Sequence, residues 1–277
     1  MSESNEPDLL TNLDEGVLLV TLNRPERLNA LTADGANVYT QAMLDASANP
    51  DVRVIVLTGA GKGFCAGADM AYLAQLKQGT PRAEKLRRHW FITQVPKPVI
   101  AAINGACVGL GFVLAMMCDM RIAARSARVG AGFARLGLPV ENGIAWALVR
   151  SLGYSRAFQH LALGSLQSGD ALLHSGVVNE VVDDVQLLPR ALEIAHEIAD
   201  HCSPRSLAML KRQLLRAAES SLPDADRLSD ELTRVALAGG DFKEAMAAKK
   251  DKRKPAFAPL PEESVWWPPE VEGRTGK

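Results

Sequence analysis

Short apolar runs alternate with segments of helical spacing through the first two thirds of this chain. Val17-Leu18-Leu19-Val20-Thr21-Leu22 stops at Asn23-Arg24-Pro25, which predicts a strand ending in a turn. Val52–Thr58 alternates, is rich in β-branched residues and stops at Gly59-Ala60-Gly61-Lys62-Gly63. That pattern predicts a strand entering a glycine loop. Val99-Ile100-Ala101-Ala102-Ile103 predicts a buried strand, Phe112–Cys118 the start of a buried helix, and Arg121–Ala124 a further short strand. Thr32 suits the N-cap of a helix running to about Ser47 and ended near Asn49-Pro50. Other helices are expected from about Ala68, and from Thr80-Pro81 to before Pro96 and Pro98.

Beyond about residue 142 the pattern changes. Ser155, Ser168 and Ser203-Pro204 read as helix starts, with one apolar strand over 177–182 between them. From Pro189 to about Lys254 the spacing is helical almost throughout. Alternating β and α followed by α alone predicts an α/β core built on a sheet, with a helical lid or association module. The expected organisation is a core over 1–200, a helical oligomerisation region over 201–257 and a Pro/Trp-containing tail over 258–277. The tail reads as irregular, with exposed indoles at Trp266 and Trp267 available for docking.

The uncharged stretch 98–118 is long enough to imitate a membrane span. Asn104 and the glycines at 105, 109 and 111 divide it, so it is read as the centre of a protein core. Of the 277 residues, 47% are hydrophobic, enough for a large core, and 31 basic residues nearly balance 32 acidic ones. That balance argues against broad binding to nucleic acid or to an anionic membrane surface. The four cysteines (65, 107, 118, 202) are irregularly spaced and form no CxxC or Cys/His cluster. Neither a disulfide framework nor a metal site is expected, and reduced thiols in a cytoplasmic protein are. The polar, acidic start MSESNEPDLL resembles neither a signal peptide nor a transit peptide.

Two glycine-bearing loops follow apolar strands, at 59–69 and at 104–111. Neither is a nucleotide motif. Gly61-Lys62 has Val56 where a P-loop needs glycine and Gly63 where it needs Ser or Thr. Gly59-Ala60-Gly61 and Gly109-Leu110-Gly111 are followed by Phe64 and Leu114 where a dinucleotide fingerprint needs glycine. Two readings stay open on spacing alone. The loops are tight strand-to-helix turns, or their N–H groups converge on one oxygen as an oxyanion hole.

FCAGADM (64–70), then PKPVIAAINGACVGLGFVLAMMCDMRIAARSARVG (96–130), then LGL and GVVNEVV occur in order. This series resembles the crotonase superfamily, also called the enoyl-CoA hydratase/isomerase family. The resemblance runs from NRPERLNAL (23–31) to KEAMAAKKDKRKPAF (243–257). It implies the ClpP/crotonase-like fold, a spiral of repeated ββα turns, with C-terminal helices that build homotrimers or homohexamers. It also implies an acyl-CoA thioester as ligand. Coenzyme A is then part of the substrate, and no metal or other cofactor is needed.

Carried over by position, the oxyanion donors are the backbone N–H groups of Ala68 and Leu110. Relatives usually have glycine at the second place, so the Leu110 side chain must point away or narrow the pocket. Ala66, Gly67, Asp69, Met70, Gly109, Gly111, Val113 and Phe133 fall at substrate-lining positions. Hydratases of the family hold water with two glutamates, and those positions are Val113 and Phe133 here. Neither side chain can transfer a proton. The remaining candidate acid is Glu141, on the loop before a helix; isomerases of the family can carry an acid there. An apolar setting would raise its pKa and let it shuttle a proton between carbons. The alternative is dipole complementation at the helix start.

Asp69 reads as a helix cap, Asp119 as structural, and His89 as a packing histidine beside Trp90. Cys65 and Cys107 lack a partner histidine by spacing, and no GxSxG elbow is present. Relatives meet the CoA end with basic residues at the positions of Arg24 and Arg27 and in the run that holds Lys249 and Lys252. The function expected is isomerisation of an unsaturated acyl-CoA through a thioester enolate, ahead of hydration. Decarboxylation, thioester hydrolysis and non-catalytic acyl-CoA binding remain as alternatives.

Overall fold

The computed structural model describes residues 7–69 and 88–267. The chain opens with a hairpin of β1 (Leu9–Asp14) and β2 (Val17–Leu22), paired antiparallel from Leu9–Leu22 to Asp14–Val17. Glu15 and Gly16 form its two-residue turn, both at positive φ, as a hairpin turn that matches strand twist requires. β3 (Val54–Gly59), β5 (Val99–Ile103), β7 (Met120–Ala124) and β9 (Glu180–Val182) add in parallel, giving the order β1-β2-β3-β5-β7-β9. β3 and β5 are buried along their whole length. Parallel strands covered on both faces read as continuous apolar runs, which is why these were legible.

A second sheet holds three short parallel strands in the order β4 (Gly63–Cys65), β6 (Ala106–Val108) and β8 (Arg128–Gly130). The chain thus makes repeated steps, one strand in the large sheet and the next in the small one. β9 is shorter than the expected 177–182 strand. Val177 and Val178 are buried ahead of it, and Asn179 ties the turn by exchanging bonds with the Arg121 backbone.

Helix α1 (Ala33–Ala48) starts where Thr32 Oγ1 accepts from Gly35 N at 2.9 Å. α2 (Leu110–Met117) is buried from Gly111 to Met117, as a helix apolar on every side must be. α3 (Ile144–Leu152), α4 (Tyr154–Leu163) and α5 (Asp170–Ser175) follow, and α6 (Leu187–His201) packs across β2, β3, β5 and β7. The helical region consists of α7 (Pro204–Ala217), α8 (Leu222–Ala238), α9 (Asp241–Asp251) and α10 (Glu263–Trp266). Lys211 on α7 stitches it to the core, donating to the carbonyls of Ile92 and Lys97 and to Asp119 at 2.8 Å. Asp119 also accepts from Val99 N, which is the structural role expected of it.

The tail corrects the sequence reading. Trp266 and Trp267 are 4% and 3% exposed and join Met209, Leu228 and Leu232 in a second hydrophobic cluster. The apolar seam between α7 and α8 receives them, and Arg212 lies over the Trp267 ring at 4.6 Å. The expected helices from Ala68 and from Thr80 lie mostly outside the described residues. Among the described residues no helix is long and apolar enough to cross a membrane, and no group of three metal-ligating side chains forms.

Candidate active site

The two glycine loops are held against each other by main-chain contacts. Leu28–Leu31 runs alongside Ala66–Asp69: Ala66 N bonds Leu28 O, Leu31 N bonds Gly67 O and Asp69 N bonds Leu31 O, each at 2.9 Å. Leu31 and Ala68 are the bridge partners. A strand turns alternate peptide groups to opposite sides. With the Gly67 carbonyl and Asp69 N–H turned to Leu31, the Ala68 N–H faces the other way. Among the described residues nothing accepts from it.

Two asparagines shape the loop that precedes it. Asn29, left-handed at φ 59 and 1% exposed, donates to Ala60 O and Gly63 O and accepts from Arg24 N. Asn104 donates to Gly61 O and Gly63 O and accepts from Gly59 N. Their amides match every group they meet. Sequence reasoning took Asn104 only as a break in the apolar stretch and passed over Asn29, although Asn-Ala-Leu and Asn-Gly each sit where an apolar run meets a loop.

The second loop meets the first at Gly67. A Cβ there would lie 3.2 Å from Val108 O and 3.7 Å from Leu110 N, and its φ of +115° is open to glycine. Gly109, at φ +53°, is the N-cap of α2, and Leu110 is the first helical residue. The first N–H groups of a helix have no intrahelical acceptor, and nothing among the described residues accepts from Leu110 N. The Leu110 side chain is half-buried and packs on the main core.

Val113 is fully buried on α2. Phe133 is half-buried at the N-cap of a 3-10 turn, Ala134–Leu136. Glu141 is exposed and opens a four-residue turn, with Ile144 N bonding its carbonyl at 3.1 Å. Gly143 follows two residues on, and a Cβ there would lie 4.0 Å from Met117 Cε. Met117 is one helical turn beyond Val113 on the same face. The Glu141 turn therefore flanks the α2 face that carries Val113.

Arg24 is committed within the chain: Nη1 donates to Ala30 O at 2.8 Å and to Asp69 at 3.3 Å. This places Asp69 as an anchor of the loop. Arg27, Lys249 and Lys252 are exposed with no ion pair among the described residues, whereas Arg253 and Lys254 of the same basic run pair with Glu244 and Asp200. His89 is buried beside Tyr39 in the 3-10 helix His89–Gln94, and Trp90 is exposed. Burial pushes the Cys65 thiol up to about 12 and raises that of Cys107, which removes both as nucleophiles. Met70 lies outside the described residues.

The enoyl-CoA hydratase/isomerase family model matches residues 12–259. The chain belongs to that family. It is 32% identical to the 1,2-epoxyphenylacetyl-CoA isomerase of Escherichia coli K12 over 90% of this chain and 97% of that one. It is 35% identical to the mitochondrial enoyl-CoA hydratase of Pongo abelii over 86% of this chain and 82% of that one. Among solved structures, an enoyl-CoA hydratase from Bacillus anthracis superposes with a TM-score of 0.85 at 29% identity, over 91% of this chain and 99% of that one. The fold is accordingly the crotonase fold, and the protein is an enzyme of the hydratase/isomerase family.

Proposed function

We propose that this enzyme moves a double bond in an unsaturated acyl-CoA, with the thioester oxygen held between the N–H groups of Ala68 and Leu110. The observation that carries this reading is the pairing of Leu31 with the loop at Ala68. It engages the groups on either side and leaves the Ala68 N–H turned outward, next to a loop that presents a free helix-start N–H. One such donor is worth about 100–1,000-fold in rate. Ala66, Gly67, Gly109 and Gly111 form the backbone walls, and Arg27, Lys249 and Lys252 meet the CoA phosphates.

In this scheme the Glu141 carboxylate takes a proton from the acyl chain. Negative charge moves onto the thioester oxygen, and the resulting acid returns the proton to another carbon. The net change is a shifted double bond, with no water consumed. Val113 and Phe133, at the two positions where family hydratases carry glutamate, leave no second group to hold water, which favours isomerisation over hydration. The Escherichia coli relative, named an isomerase of 1,2-epoxyphenylacetyl-CoA, supports the same direction.

The test uses 2-enoyl-CoA and 3-enoyl-CoA in deuterated water, following double-bond position and solvent deuterium uptake. Isomerisation with exchange is expected, abolished in Glu141→Gln while CoA-ester binding persists. Robust hydration that ignores this substitution would overturn the assignment.

A further inference from the structure

We infer that Asn104 is a positioning residue whose amide, together with that of Asn29, sets the offset between the two oxyanion loops; the inference rests on the oxyanion reading above. The loops come from different parts of the chain. Ala68 ends the segment that runs from Gly59 through β4, and Leu110 ends the segment that runs from Asn104 through β6. Their N–H groups serve one oxygen only if the two segments keep a fixed offset along their length.

The β4–β6 ladder does not supply that offset by itself. Gly63 lies opposite Ala106 and Cys65 opposite Cys107, so the register shifts at Phe64. β4 uses one residue more than β6 over the same step, as at a β-bulge, which interrupts pairing and re-aims the strand that carries it. The carbonyl just before Phe64 is that of Gly63. It accepts from Asn29 Nδ2 at 2.6 Å and from Asn104 Nδ2 at 3.2 Å. A carbonyl has two lone pairs, so two side-chain amides occupy it.

Each asparagine reaches that carbonyl from a different loop. Asn29 belongs to the stretch that ends at Leu31, the bridge partner of Ala68. Asn104 heads the loop of Leu110, and also donates to Gly61 O at 3.0 Å and accepts from Gly59 N at 3.2 Å. The main chains are crowded here: a Cβ on Gly105 would lie 2.0 Å from Lys62 O, and one on Gly59 would lie 2.2 Å from Gly63 O and 2.6 Å from Asn29 Nδ2. Close backbones bring the segments together, and the amide bonds select their register. Removing the Asn104 amide leaves the contact and frees the offset. A misplacement of about 1 Å can cost about 100-fold in rate. The loss falls on the transition state, in which the thioester oxygen carries charge.

The experiment is isotope-edited infrared spectroscopy of a bound acyl-CoA labelled with heavy carbon at the thioester carbonyl. Binding to the wild type should lower the carbonyl stretching frequency, because donors on the oxygen weaken the C=O bond. Asn104→Ala should lose part of that lowering, and its solvent deuterium uptake should fall about 10–100-fold, with the calorimetric dissociation constant of the ester near the wild-type value. Asn104→Ser, which keeps one donor, should lie between the two, and it carries the test if the alanine variant does not fold. Asn179→Ala removes a comparable bond, from Arg121 N at 2.9 Å, away from both loops, and should leave frequency and uptake unchanged. Wild-type frequency and uptake in the folded Asn104 variants, an equal change in Asn179→Ala, or an equally large loss of ester affinity overturns the inference. No lowering in the wild type strikes the oxyanion reading itself, and the inference falls with it.

Discussion

Gly111 lies so close to the main chain of Cys65 that a methyl group on it would fall 1.9 Å from the Cys65 carbonyl oxygen. This contact, between residues far apart in sequence, presses the start of α2 onto the strand that leads to Ala68. It sets the spacing of the two N–H groups more directly than any side chain does. Gly111→Ala should therefore cost more than the usual overpacking range of about 1–3 kcal/mol and lower thioester-dependent deuterium exchange together with stability. Denaturant unfolding and exchange rates on the same sample check both. Unchanged stability would mean that the two segments are not in contact.

His160 stacks on Phe112, with ring centroids 5.1 Å apart, and burial lowers its pKa below the ordinary histidine value near 6.5. As pH falls through that value, the unfolded chain binds the proton while the folded chain resists. Unfolding free energy then falls as the pH drops from about 6.5 toward the folded pKa. Urea unfolding as a function of pH should show this decline, and His160→Leu should flatten it in that window. An identical slope in both proteins would remove His160 from the balance.

Trp267 closes the seam between α7 and α8, beneath the Arg212 guanidinium. Trp267→Ala should destabilise the helical region by about 3–5 kcal/mol, the range for losing a buried large aromatic. Amide hydrogen exchange should show the loss concentrated in α7, α8 and α10, with β3 and β5 protected as before. Uniform loss across the chain would show that the two hydrophobic clusters unfold as one.

The large sheet was legible because its inner strands are buried on both faces: the 99–103 strand matches β5 end to end, and α1 begins at the Thr32 cap. β1 escaped because only one edge of it is paired and most of its residues are exposed, so no apolar alternation marks it. β4, β6 and β8 have three residues each, too few for a period, and β4 and β6 sit inside the glycine loops that read as turns. The buried indoles were misplaced because their receptor, Met209, Leu228 and Leu232, lies distant in sequence. Local pattern shows that a residue is apolar, and not what will cover it.

Leu110→Pro tests the proposed pair of donors most directly. Proline is favoured at the first position of a helix, and Leu110 holds that position in α2, so the substitution removes one N–H with little cost to the fold. Solvent deuterium uptake into a bound acyl-CoA should then fall about 100–1,000-fold, with the melting temperature within a few degrees of wild type. Uptake at the wild-type rate in a folded Leu110→Pro protein would contradict the proposal that two main-chain amides hold the thioester oxygen.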